Sequence, residues 1–272
     1  MTFKHLLKLV PETLKTYFKN KHFVIMFSAF LLLMIYGYHG NLDLLSNIIP
    51  DWSAPGVNTC CRTPILNWVP WDRELISFIG GAILLVVVPL IIIKFILKEP
   101  FSRYGLGLPA KGKRLAGLFT FLFLVIVLSP VFIMTSNDKS MQAVYPFYKS
   151  FTSVSQFIIY EISYFPFFIT IEFIFRGYLL FGLCDMHDTY VTTNPNKNLH
   201  FIGFGLIIQM LAYTMWHMGK PIPELWGTPV WGLATGIFTY NLRSIWPVTF
   251  AHWTLNILLD GMILYHLHLL FN

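Results

Sequence analysis

Charge is scarce in this chain of 272 residues. Asp, Glu, Lys and Arg together make up 12%, about half of the roughly 25% usual in a soluble domain. That excludes an ordinary water-soluble fold, because hydrophobic residues reach 56% and one core of this size could not hide so much apolar surface. Cysteine is scarce too, with three residues. Cys60 and Cys61 are adjacent in a predicted external loop, and Cys184 falls near the opposite face. No disulfide framework and no Cys-x-x-Cys metal site follows from such spacing. No internal repeat and no series of broken helices is evident, which argues against a transporter. A small-x-small cleavage site after Tyr38 is also missing, so the first apolar run reads as a retained helix and not as a signal peptide.

The chain does have apolar runs that approach the ~20 residues needed to cross a bilayer. The expected spans are Phe23–Tyr38, Leu75–Leu97, Leu115–Met134, Ile158–Leu183, Phe201–His217, Val230–Tyr240 and Trp246–Leu269. The sixth is short and open to lengthening at either end. The fold expected is an all-α polytopic transmembrane bundle of about seven helices. Residues 1–22 would form a basic amphipathic cytoplasmic N-terminus, with Leu6, Leu7, Val10, Leu14 and Phe18 near helical spacing on anionic lipid. Residues 23–272 would form a single membrane domain.

Net charge is +6, and its placement matters more than its sum. Lys4, Lys8, Lys15, Lys19 and Lys21 precede the first span, and Lys98, Arg103, Lys111, Lys113 and Arg114 follow the second. With Lys197 and Arg243 these fall on one side of the membrane, against Arg62, Arg73, Lys139, Lys149 and Lys220 on the other. The positive-inside rule then places the N-terminus in the cytoplasm. Basic clusters flanking spans speak for lipid, not nucleic acid, as the partner. The long loop Asn41–Glu74 would face outward, with Trp52, Trp68 and Trp71 at the interface.

Ionisable groups inside spans are costly and mark function. Glu172 and Arg176 are four residues apart, on one helix face, and can form an ion pair. Tyr213 and His217 close the fifth span. His252 and Asn256, again four apart, open the seventh. At 1.5 Å per residue, His252 lies roughly 9 Å deep from the inner end, Arg176 about 10 Å, Asn256 about 15 Å and Glu172 about 17 Å. His217 comes out near ~24 Å if its helix starts at Phe201, and less if the helix starts after Gly203.

The order Ile171-Glu172-x-x-x-Arg176-Gly177, Tyr213-x-x-x-His217 and His252-x-x-x-Asn256 resembles the CAAX-protease and bacteriocin-processing family of intramembrane peptidases. That family reads Glu-Glu-x-x-x-Arg, Phe-x-x-x-His and His-x-x-x-Asn/Asp. Gly219-Lys220-Pro221, Glu224-Leu225 and Ser244-Ile245-Trp246-Pro247 look like its bacterial branch, which implies the bacterial cytoplasmic membrane. The likeness covers about 106–260. It implies that His217 helps activate a water, that His252 and Asn256 stabilise the oxyanion, and that Glu172 and Arg176 hold the architecture.

The chain departs from the family at Ile171, which stands where the first, water-activating Glu belongs and cannot accept a proton. Glu172 or Asp260 is the expected substitute carboxylate. Asp260 lies on the broad face of Asn256 at a counted depth of ~21 Å, while Glu161 sits at the outer end of its span. No cofactor is implied. Zinc on His217, His252 and a carboxylate is conceivable, but no His-Glu-x-x-His pattern accompanies it. Cys184, Asp185, His187 and Asp188 read as a solvated inner loop, and Gly232-x-x-x-Gly236 as a close helix approach. Two functions stay open. One is an endopeptidase acting on a membrane-embedded or lipidated peptide. The other is a catalytically silent family member that binds a membrane protein partner, favoured by Ile171.

Overall fold

The computed structural model describes residues 17–38, 68–184 and 203–269. The expectations for residues 1–16, for Trp52, Cys60 and Cys61, and for Asp185, His187 and Asp188 lie outside them.

Seven long helices and one short helix make up the described chain. Helix α1 is Lys21–Tyr38. It starts where the Asn20 side chain accepts the backbone N–H of His22 and Phe23, at 2.9 and 3.2 Å, satisfying donors that a helix start leaves open. Helix α2 is Asp72–Leu97. Asp72 and Glu74 occupy its first turn, where negative charge complements the helix dipole, and it ends at Lys98 in the left-handed region, φ 56°. Helix α3 is Arg114–Thr135. Helix α4 is the short Lys139–Val144, capped by Asp138. Helix α5 is Val154–Cys184, entered through a Ser153 cap. Helices α6, α7 and α8 are Phe204–Trp216, Ile222–Leu242 and Trp246–His266.

A helix therefore stands at each of the seven expected spans, with shifted ends. The fifth starts after Gly203, which shortens the counted depth of His217 to about 20 Å. The sixth runs eight residues further toward its N-terminus than expected. Pro223 and Pro229, with Glu224 and Thr228, dilute its hydropathy, yet proline is tolerated in a first turn. Helices α2, α3 and α5 are long and apolar enough to cross a membrane, and α1 and α6 are shorter apolar helices.

The ends alternate. Glu99 after α2 pairs with Lys21 of α1 at 2.9 Å. Gly105 O accepts the N–H of Ile245, and Leu106 O accepts the Trp246 indole, so the start of α8 sits beside the end of α2. Lys113 reaches Asn241 O at the end of α7, and the Arg243 guanidinium lies over Phe181 near the end of α5. Lys21, Lys98, Arg103, Lys113 and Arg243 thus share one end of the bundle.

Helix α5 is the axis. Of its most apolar stretch 89% is buried inside the bundle, against 39% for α2 and 17% for α3. Its neighbours are α1, α2, α6, α7 and α8. Helix α3 packs mainly on α8 and turns Leu115, Phe119, Phe123, Ile126 and Met134 outward, a surface suited to lipid and not to water. Gly232 and Gly236 sit against Met210, Leu206 and Gln209 of α6, and Gln209 donates to Gly232 O at 2.7 Å. The small-residue stripe therefore serves packing within the chain, where close backbone approach replaces a hydrophobic driving force.

One expectation about the outer loop is corrected. Trp68 is exposed, but Trp71 is 2% exposed. It packs edge-on against Tyr160 and its indole donates to Ser163 of α5 at 3.1 Å. A partner for the indole N–H inside the aromatic cluster holds it there, turned into the bundle.

Candidate active site

The site is built from α5, α6, α7 and α8. Helix α5 changes pitch within it: the α-helical run ends at Glu172, and Phe173–Phe181 forms wider π-helical turns. Such turns gather at functional sites. Glu172 and Arg176 lie on either side of that change and still face each other, Arg176 Nε to Glu172 Oε2 at 3.4 Å, both side chains fully buried. Glu172 Oε1 accepts from His252 Nδ1 of α8 at 2.7 Å. Arg176 donates to Thr235 Oγ1 of α7 from Nε at 3.2 Å and from Nη2 at 2.9 Å. A buried charge pair needs further hydrogen bonds; here they come from two other helices, while Arg176 Nη1 is left without one.

Tyr213 of α6 joins this pair to the second half of the site. Its ring lies under the Arg176 guanidinium, 4.1 Å from Cζ to the ring centroid, a cation–π contact. Its backbone carbonyl faces His217 Nδ1 at 2.7 Å. A carbonyl only accepts, so the His217 proton sits on Nδ1 and Nε2 carries the lone pair. His217 itself is the C-cap residue of α6. That position frees it from the helix and turns its ring toward α7, where Nε2 lies 3.5 Å from Glu224 Oε1.

Glu224 stands in the first turn of α7. The Tyr145 hydroxyl donates to the same Oε1 at 2.7 Å, and Lys220 Nζ lies 3.4 Å from that hydroxyl. Sequence reasoning passed over Glu224 as a site residue because it sits in a Pro-x-Pro-Glu run outside the expected sixth span. Its signal was an acid just after helix-starting prolines, where the chain turns back into the membrane.

On α8, Trp231 and Phe168 pack on the His252 ring, with centroids at 4.9 and 5.0 Å. His252 keeps 19% of its side chain exposed, so the ring is held but reachable. Its ring is near enough to act electrostatically on both His217 and Glu224, which brings the two histidine motifs close together in the bundle. One turn along, Asn256 Nδ2 donates to Asp260 Oδ2 at 2.9 Å. That bond orients the amide, and the Glu161 carboxylate also lies within its reach. Asp260 is buried beside Glu161 of α5. Ile171 is 3% exposed and packs in an apolar cluster with Phe175, Leu85 and Tyr213. Among the described residues, no group of three or more His, Cys, Asp or Glu side chains is arranged to hold a metal ion.

A family model described as type II CAAX prenyl endopeptidase Rce1-like matches residues 153–258. The chain carries an Rce1-like domain. The Rce1-like domain begins at the cap of α5 and runs into α8. It contains Glu172, Arg176, His217, Glu224, His252 and Asn256, and Asp260 falls two residues past its end. No curated protein and no solved structure matches the chain.

Proposed function

We propose that the protein is an intramembrane endopeptidase that hydrolyses a peptide bond of a membrane-embedded or lipidated peptide. The observation that carries this reading is the bond between His252 and Glu172, which draws the third motif onto the first in a buried but reachable place. Peptide hydrolysis in lipid needs a group to take a proton from water and donors for the developing oxyanion. His217 offers a bare Nε2 to hold and polarise the attacking water. Asn256 offers its amide to the developing oxyanion. His252, whose Nδ1 is engaged by Glu172, donates from Nε2 when doubly protonated. Glu172 and Arg176 hold α5, α7 and α8 in register and do not touch substrate.

The basic end of the bundle is read as the cytoplasmic end in a bacterial cytoplasmic membrane, because Lys and Arg collect there. A cysteine placed at Lys111 then reacts with an impermeant maleimide only after the membrane is opened. One placed at Lys139 reacts in intact cells.

The second reading, a silent member that binds a membrane protein, is favoured by Ile171, whose side chain is committed to the apolar cluster. Peptide termini in membranes of cells expressing wild type or His252→Ala at equal levels separate the two. Termini present only with wild type support the peptidase and define its substrate. Identical termini end that reading in favour of the binding one.

A further inference from the structure

The carboxylate missing at Ile171 has a counterpart on another helix. Glu224 Oε1 and His217 Nε2 lie 3.5 Å apart. With the His217 proton held on Nδ1 by the Tyr213 carbonyl, both facing atoms are acceptors. They cannot bond each other, and such a pair needs a donor between them. Glu224 Oε2 is buried and has no hydrogen-bond partner, a costly state for a carboxylate oxygen.

Glu161 and Asp260 also hold buried oxygens with no hydrogen-bond partner, but they lie beside Asn256, whereas Glu224 is the carboxylate that faces His217. Glu172 is taken by His252 and Arg176. Asp260 is taken by Asn256 on the Glu161 side. Tyr145 fixes Glu224 by its hydrogen bond, and Lys220 puts a cation beside them. Helix α7 reaches this place because Pro221 and Pro223 start it well before its apolar part.

We infer that Glu224 is a catalytic residue of this site, holding the attacking water together with His217 and accepting its proton. This rests on the peptidase reading above. In the step, one O–H bond of water breaks and its proton passes to the Glu224 carboxylate. The water oxygen forms a bond to the peptide carbonyl carbon, and the carbonyl electron pair moves onto oxygen beside Asn256 and His252. Collapse breaks the C–N bond, and the proton on Glu224 goes to the leaving amine. One water is consumed and no other reactant is needed. Ile171 is then not a lost function: the base stands on α7 instead of α5.

The test uses the full chain in proteoliposomes and a synthetic lipidated peptide covering the terminus that wild-type membranes produce. Glu224→Gln keeps the shape and the Tyr145 contact and removes the base. Its kcat is expected to fall by about 10²–10⁴-fold, with KM and the thermal midpoint at wild-type values. Glu224→Asp is expected to recover part of the rate, which a merely structural role would not produce. Tyr145→Phe, which loosens Glu224 without removing it, is expected to lower kcat several-fold and covers the case of a Gln variant that does not fold. Wild-type kcat in Glu224→Gln, or in Tyr145→Phe where the Gln variant is unfolded, overturns the role of Glu224 and leaves the peptidase reading standing. Wild-type termini that match those of His252→Ala overturn both.

Discussion

His252 Nδ1 and Glu172 Oε1 meet at 2.7 Å across 80 residues of sequence, and Arg176 leans on the other oxygen of the same carboxylate. Glu172 is thus shared between an arginine and a histidine in a fully buried place. Glu172→Gln is expected to leave Arg176 uncompensated and to destabilise the bundle by about 3–5 kcal/mol. The double variant Glu172→Gln/Arg176→Met should be less destabilised than the sum of its singles. Unfolding of the four proteins in one detergent checks this, and additive losses would show that the pair is not coupled.

Asn256 is oriented by Asp260 and lies beside Glu161. Asn256→Ala should lower kcat by roughly 10²–10³ with little change in KM, the mark of a group that acts on the transition state and not on the bound substrate. A loss confined to KM would assign Asn256 to substrate binding.

Two glycines of α7 make a matched pair. A Cβ on Gly236 would fall inside van der Waals contact with Leu206 and 2.7 Å from Gln209 Nε2, whereas one on Gly227 meets nothing within 4 Å. Gly236→Ala is expected to cost about 1–3 kcal/mol through overpacking. Gly227→Ala is expected to be neutral or slightly stabilising, since Ala favours a helix by up to ~1 kcal/mol. Thermal midpoints of the two variants should move in opposite directions or differ by several degrees.

Glu99 lies outside the spans and clasps Lys21, Arg103 and Tyr104. Burial pushes its carboxyl up, but the Tyr104 hydrogen bond and the Lys21 and Arg103 charges outweigh it and hold it below the ordinary glutamate value. A folded value below the unfolded one gives stability that is complete above the unfolded value and is lost as pH falls through the folded one. The gap in thermal midpoint between wild type and Glu99→Gln should hold steady near neutral pH and close in acid, below the ordinary glutamate range. A gap that persists there would assign Glu99 a packing role.

Hydropathy was enough to read α1, α2, α3, α5 and α8 from the sequence, because long apolar runs flanked by charge have few other uses. It failed at the start of α7, where prolines and Glu224 resemble a loop, and so the carboxylate facing His217 stayed hidden. Residue spacing placed Glu172 with Arg176 and His252 with Asn256, since each pair lies on one helix. Spacing could not show that Glu172 bonds His252, that Thr235 holds Arg176, or that Tyr213 links the halves. Those contacts depend on how separate helices rotate against one another. Trp71 was misread for a related reason: the Ser163 hydroxyl that receives its indole is 92 residues away.

The ion pair within α5 also bears on how the protein is made. Translation proceeds from the N-terminus, so α5 enters the membrane before Tyr213, Thr235 and His252 reach it. Of the polar groups that finally surround Arg176, Glu172 alone is already present, one turn away on the same helix. The helix therefore brings its own counter-ion into lipid, where an unpaired Arg is expensive. Separating the two charges onto different helices would keep the finished contact and lose this protection during assembly.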